Sequence, residues 1–347
     1  MPGYKLKPNE ISEFSRQLAG MLKSGITVIR AVGILKSRDF KPVLLGVYGK
    51  LHKDVSSGSS LSEAMRLQKP AFPELLINMY ASGETSGQLG RAASKMAAHY
   101  EKEYRLNNKI RSAMTYPVVL SAVTGTAAMV IFTLILPETF SLFEDMPLPL
   151  ITRVMFALSR FFRSYWLRTI AGVLIITAFV KYLSGIYKVS LWYDKKKLKF
   201  ILFGRLLKTI YTARFARTLS SLYSGGVSII DSLEISASVI GNKFIREQLN
   251  GLIENVRNGE LLSEAAGKIS GFDKKLAAYV LIGEESGNLD GMLISAAESL
   301  DYEAETAAEG MTRLLEPLLI VSMAAIICFI MLSVMLPVFD LYNNIAQ

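Results

Sequence analysis

Ala81-Ser82-Gly83-Glu84-Thr85-Ser86-Gly87-Gln88-Leu89 returns 200 residues later as Ile282-Gly283-Glu284-Glu285-Ser286-Gly287-Asn288-Leu289. The match widens outward from there. Tyr116-Pro117 answers to Glu316-Pro317, and Leu136-Pro137 to Leu336-Pro337, at the same offset. Upstream, after a one-residue shift, Leu61-Ser62-Glu63-Ala64 answers to Leu262-Ser263-Glu264-Ala265. Phe14, Arg16, Leu18 and Gly25 answer likewise to Phe215, Arg217, Leu219 and Gly226. An offset held over so long a stretch marks one unit used twice. Each unit ends in a long apolar run.

Composition narrows the class. Hydrophobic residues make up 51% of the 347-residue chain and mean hydropathy is positive, so part of the chain is expected in lipid. The net charge is +9, and residues 1–111 hold all of the excess, with 18 Lys+Arg against 9 Asp+Glu. A basic domain of this kind can bind nucleic acid, but it also marks the inward side of a membrane protein. Cys328 is the sole cysteine and sits in an apolar run, which excludes an intrachain disulfide. Met1-Pro2-Gly3-Tyr4-Lys5 lacks an apolar signal core, so the first domain is expected to stay in the cytoplasm.

The pattern is helical throughout. Ile11, Phe14, Leu18, Met21 and Leu22 recur at helical spacing, and Ser24-Gly25 ends that run. Ser60-Leu61-Ser62-Glu63 has the spacing of a capping box, which Leu261 removes from the second unit. No stretch alternates with the period of a strand. The expectation is an all-α protein: two homologous cytoplasmic bundles of about six helices each, plus three transmembrane helices. The expected boundaries are residues 1–111 for the first cytoplasmic domain and 112–137 for the first span. Residues 138–165 form an extracytoplasmic loop with an amphipathic helix, and 166–187 the second span. The second cytoplasmic domain takes 188–313, the third span 314–339 and an extracytoplasmic tail 340–347.

The first span, Ser112–Pro137, carries no charge between Arg111 and Glu138, and is long enough for a hydrocarbon core. The second is the weakest, because only Thr169–Val180 is uncharged; Arg168 and Lys181 must snorkel. Beyond it Lys188, Lys195, Lys196, Lys197 and Lys199 face one acid, Asp194. The positive-inside rule makes that side cytoplasmic, with a nucleic-acid patch as the alternative. In the loop, Ile151, Val154, Leu158 and Phe161 share one helical face, expected at the membrane interface or against the bundle.

Catalytic chemistry is hard to find. His52 and His99 lie in unrelated segments and read as surface residues. Gly46–Leu51 and Gly204–Thr209 lack phosphate-loop spacing. The spans carry no internal acid, which argues against an ion-coupled transporter. The repeated Gly-Glu-x-Ser-Gly-x-Leu reads as a rigid helix–helix corner. Gly83 and Gly87, like Gly283 and Gly287, would supply positive φ. Ser86 and Ser286 would cap the following helix, and Glu84 and Glu284 would sit at its positive end. A partner-docking corner and a weak divalent cation site are the alternatives. One carboxylate per copy is thin support for a metal, so no metal or other cofactor is expected.

The two final helices differ in charge. Lys102, Arg105, Lys109 and Arg111 precede the first span, whereas Glu298, Asp301, Glu305 and Glu309 precede the last. These stripes are expected to face each other or a partner.

Phe14-Ser15-Arg16-Gln17-Leu18-Ala19-Gly20-Met21-Leu22-Lys23-Ser24-Gly25-Ile26 resembles the opening signature of the inner-membrane platform proteins of type II secretion and type IV pilus machines. That is the general-secretion-pathway F, or PilC-like, family. The doubled Gly-Glu-x-Ser-Gly-x-Leu, Tyr116-Pro117, Leu136-Pro137 and Leu336-Pro337 are similar to that family too. The resemblance implies a multi-pass scaffold of the bacterial cytoplasmic membrane, N-terminus inside and not an enzyme. It implies recruitment of a hexameric assembly ATPase and engagement of pilin or pseudopilin subunits, with other inner-membrane machine components, the lipid bilayer and further copies of itself as partners. No direct nucleic-acid contact is expected. A DNA-uptake pseudopilus component and a polytopic transporter remain as alternatives. The chain departs from longer members in having little before Phe14, in Glu316 opposite Tyr116, and in Gly225-Gly226 opposite Ser24-Gly25.

Overall fold

The computed structural model describes residues 4–37, 41–135, 137–138, 150, 152–155, 157–161, 175, 187–200 and 204–345. Among them there is no strand. The first copy comprises α1 (Pro8–Lys23), α2 (Val28–Lys36), α3 (Pro42–Ser56), α4 (Leu61–Arg66), α5 (Glu74–Thr85) and α6 (Leu89–Val130). A connecting helix, α7 (Tyr187–Lys199), precedes the second copy. That copy comprises α8 (Gly204–Tyr223), α9 (Ile229–Val239), α10 (Lys243–Arg257), α11 (Leu262–Gly267), α12 (Lys274–Ser286) and α13 (Leu289–Ile345).

Local chemistry sets the ends of these helices. Pro8 opens α1, where its missing N–H costs nothing. Gly25 closes the turn after α1 at φ 79, and Gly226 does so after α8 at φ 85. Ahead of α4, Ser60 Oγ accepts the Glu63 N–H at 3.2 Å and Glu63 accepts the Ser60 N–H at 3.1 Å, completing the capping box. Leu261 gives α11 no side-chain cap of its own.

The helices bury matching stripes. Phe14 stacks on Tyr48 at 5.4 Å and meets Phe72 at 6.0 Å. One repeat on, Phe215 meets Phe272 at 5.0 Å. Each such ring withdrawn from water contributes about 1.5–3 kcal/mol.

The chain separates into two compact units, Met1–Lys109 with Leu191–Ala307, and Ile110–Ser190 with Ala308–Gln347. Both copies of the bundle therefore share the first unit. α6 and α13 contribute residues to each unit. α6 runs 42 residues through Pro117 without a break, about 63 Å at 1.5 Å per residue, and continues as a π-helical stretch over Ile131–Ile135. α13 runs 57 residues.

The second unit is apolar outside. Val118 and Val123 on α6 and Leu134 in the π-helical stretch are exposed, as are Val321, Ile327 and Phe329 on α13. Three of its hydroxyls reach across to other segments. Thr124 Oγ1 lies 3.3 Å from Met323 Sδ, Thr152 donates to the Ser333 carbonyl at 3.2 Å, and Ser159 donates to the Phe132 carbonyl at 2.6 Å. Val154, Leu158 and Phe161 are exposed, while Thr152 and Ser159 face the other way. The physical reason is that the short polar side chains on the opposite face reach backbone carbonyls, which a lipid-facing surface could not offer. The rest of the expected loop at 138–165, and the second span at 166–187 apart from Ile175 and Tyr187, lie outside the described residues.

Candidate functional site

The repeated motif is built the same way twice. Only its last residues form a turn, because α5 extends through Thr85 and α12 through Ser286. Gly87 and Gly287 both take φ 67, a conformation glycine adopts without steric cost. Gly83 and Gly283 are different: both are helical, and each permits a close approach. A Cβ on Gly83 would lie 2.7 Å from Ala92 Cβ, and one on Gly283 would lie 2.9 Å from Leu289 Cα. The positive-φ reading thus applies to the second glycine of each motif and a packing requirement to the first.

Glu84 turns away from α6 and reaches the start of α4. It accepts the Leu61 N–H at 2.6 Å, the Ser62 N–H at 3.2 Å and the Ser62 hydroxyl at 2.5 Å. Glu284 accepts the Leu262 N–H at 2.7 Å and the Ser263 N–H at 3.1 Å. The first turn of a helix leaves N–H groups without partners and carries positive partial charge, which a carboxylate satisfies on both counts. The two repeated motifs, Leu-Ser-Glu-Ala and the glycine motif, are therefore two ends of one contact. Ser86 and Ser286 donate back to the Ser82 carbonyl at 2.8 Å and the Ile282 carbonyl at 2.6 Å. They close the preceding helix rather than opening the next. Both oxygens of each glutamate are engaged. No group of three or more His, Cys, Asp or Glu able to hold a metal occurs among the described residues.

The charged stripes meet across α6 and α13. Lys102 lies 3.5 Å from Glu298 and Lys109 2.6 Å from Glu305, with all four side chains at least partly exposed. Arg105 pairs at 2.5 Å with Glu101 on its own helix. Glu309 is exposed one turn beyond Glu305. Exposed pairs are each worth about 0–1 kcal/mol. Reversing Glu298 and Glu305 to Lys together should lower stability by about 1 kcal/mol, and adding Lys102→Glu and Lys109→Glu should restore it. A thermal melt at low and high salt checks this, since salt should erase the difference.

Asp301 belongs elsewhere. It takes a bidentate contact from Arg217, with Nε 2.9 Å from one carboxylate oxygen; the arginine is buried and the aspartate largely so. The first copy holds the counterpart, Arg16 with Glu101, but there the arginine is exposed.

The two copies also meet at a polar seam that the sequence reading missed. The Lys95 ammonium donates to the Ser224 carbonyl at 2.6 Å, Ser82 donates to the Gly225 carbonyl at 2.9 Å, and Arg214 donates to Asn107 at 2.6 Å. Lys95 and Ser82 thereby satisfy carbonyls left open at the end of α8. His99 Nδ1 sits 3.0 Å from Ser221 Oγ. His99 is not a surface residue: it is 5% exposed, because the face of α6 that carries it packs on α8 of the other copy. Burial, then the nearby charges of Arg217 and Lys102, push its pKa from 6.5 down to about 3. The unfolded chain binds this proton below about 6.5 and the folded chain does not. Stability is therefore complete above about 6.5 and falls with pH toward about 3, by about 1.4 kcal/mol per pH unit. His99→Gln should flatten that segment of the pH–stability profile; an unchanged slope would place the histidine in water.

Among the cavities on the described residues of the first unit, two are of several hundred Å³. One, of about 520 Å³, is lined by residues including Tyr4, Val47, Lys50, Leu67 and Gln68. The other, of about 450 Å³, lies between the copies and is lined by residues including Asn78, Ser82, Ser228, Asp231 and Glu234. Glu234 already pairs with Arg257 at 2.7 Å, and Asp231 accepts the Ser228 hydroxyl at 2.6 Å. The corner, the stripes and the seam are thus devices of assembly: they fix helix ends and join copies.

Comparison with known proteins gives a consistent result. Residues 14–137 and 215–337 match the family model described as "Type II secretion system (T2SS), protein F". The chain is 31% identical to a type IV pilus assembly protein PilC of Pseudomonas aeruginosa, over 99% of this chain and 93% of that protein. It is 32% identical to a PilC of Thermus thermophilus, over 99% and 84%. A type II secretion system protein F of Aeromonas hydrophila is 31% identical, over 97% and 87%.

Proposed function

The chain belongs to the type II secretion system protein F family, and from that premise we propose that it is the membrane platform of a type IV pilus or type II secretion machine. In this reading it couples a cytoplasmic assembly ATPase to the movement of pilin or pseudopilin subunits into a filament. The observation that carries it is the pairing of one polar body, made from both copies, with two long helices whose apolar continuations are exposed. A scaffold needs surfaces and stiff connections, and it needs no acid, base or nucleophile.

The seam bears on topology. Ser82 and Lys95 bond the turn after α8 and Asn107 bonds α8 itself, which supports both copies lying on the same side of the membrane in this reading. That requires an even number of crossings between them. α6 supplies one, over an apolar stretch long enough to span. The weakly apolar 166–187 is then the natural return. With the basic first copy inside, three crossings place both bundles in the cytoplasm and the end of α13 outside. Motion imposed on the bundles would travel along α6 and α13, since an unbroken helix is stiff on this scale.

The test is co-purification. Tagged full-length chain, co-expressed with its cognate assembly ATPase and pilin and extracted from membranes, should retain both. A chain that is inserted yet retains neither, while vesicles containing it accumulate a small solute, would contradict the platform reading.

A further inference from the structure

The exposed face of α7 is unlike that of a solvated helix. Asp194 and Leu198 turn inward: the Asp194 carboxylate accepts the Lys243 N–H at the start of α10 at 2.9 Å, and Leu198 is buried. The outward face interleaves large aromatics with lysines. Trp192 is 58% exposed and Tyr193 47% exposed. Lys196 lies over the Trp192 ring at 4.1 Å and Lys197 over the Tyr193 ring at 4.4 Å. Lys195 and Lys199 are exposed beside them. Asp194, the sole acid on the helix, is engaged by the α10 backbone. Large aromatics held out in water are costly, and lysines alone would solvate the face more cheaply.

We propose that this face of α7 is a binding surface for anionic phospholipid headgroups. Trp192 and Tyr193 sit at headgroup depth, and Lys195, Lys196 and Lys199 contact lipid phosphate. Charge complementarity selects the occupant, as does chain position: α7 begins directly after the expected second span. Indole and phenol rings favour the zone where an apolar body and a polar tip are both accommodated, and a lysine cluster on the cytoplasmic flank of a span meets the negative leaflet. Duplex DNA offers the same phosphate chemistry, but gives no reason for exposed rings on one face of a helix. The inference rests on the membrane reading above, yet it can fail separately.

The chain has two tryptophans, Trp166 and Trp192, so Trp166→Phe leaves Trp192 as its own reporter. Full-length protein is reconstituted in zwitterionic bilayers, and in bilayers containing phosphatidylglycerol, with brominated acyl chains as quencher. Trp192 emission should be quenched, more so with the anionic lipid. Replacing Lys195, Lys196 and Lys199 by Gln should weaken retention of that lipid roughly a hundredfold, about fivefold for each lysine. Unquenched Trp192 in a chain that resists alkaline extraction would overturn the lipid surface and leave the spanning reading intact. A chain that alkali extracts would overturn both. Labelled duplex DNA that binds with the same lysine dependence, where the anionic lipid does not, would also overturn the proposal.

Discussion

Arg217→Met alone is expected to destabilise the bundle by about 3–5 kcal/mol, whereas Arg217→Met combined with Asp301→Leu should cost far less. The asymmetry follows from burial. Arg217 is buried and Asp301 largely so, so removing the arginine leaves a mostly desolvated carboxylate without its counter-ion. Removing both substitutes packing for a pair whose attraction largely offsets its desolvation. The first copy supplies an internal control. Arg16 with Glu101 is the same pair one repeat earlier, but Arg16 is 61% exposed. Arg16→Met should therefore cost about 1 kcal/mol or less. Thermal unfolding of the detergent-extracted chain, with all three variants side by side, measures the contrast. Equal losses at positions 16 and 217 would show that the second pair is as wet as the first.

Removing the glutamates of the repeated motif should have the next largest effect. Glu84→Ala strips acceptors from the Leu61 and Ser62 N–H groups and from the Ser62 hydroxyl. Hydrogen bonds to a charged group are worth about 1.5–3 kcal/mol, and a buried donor left unmatched costs more. A loss of about 3 kcal/mol is expected. Glu284→Ala removes the equivalent bonds at α11, and the loss should be similar, because α11 has no capping side chain of its own. The two sites share no partner, so the losses should add. Their sum of about 6 kcal/mol would exhaust a typical folding stability of 5–15 kcal/mol at its lower end. The double variant should fail to accumulate in membranes at growth temperature, while Glu84→Gln and Glu284→Gln, each keeping one acceptor oxygen, accumulate in part. Normal accumulation of the double alanine variant would mean that the caps are decorative.

What could be read from the residues alone was what is local or repeated. The capping box at Ser60 and Glu63 depends on residues three apart, and the alternation of helices and glycine turns follows from spacing. The duplication itself needs only an offset. Contacts closed by tertiary packing were not legible. Glu84 lies 23 residues from Leu61, so nothing near it in sequence distinguishes a cap for α4 from one for α6. His99 looks like a surface histidine until α8, 122 residues away, covers it. Gly83 and Gly87 are both glycines, yet one answers to a neighbouring Cβ and the other to φ. The opposed stripes on α6 and α13 could be seen because they are simple runs of charge. The exception within them, Asp301, was detectable in principle: its repeat partner Glu101 stands at the same place relative to Arg16 as Asp301 does to Arg217.

The two copies share one compact unit, and its placement on one side of the membrane is the central proposal. Single cysteines test it most directly. In a Cys328→Ser background, Ser57→Cys reports the first copy and Asn258→Cys the second, both at exposed turns. An impermeant maleimide applied to intact spheroplasts should label neither, and applied to inverted membranes it should label both. Labelling of one position from each side would separate the copies across the bilayer and contradict the account.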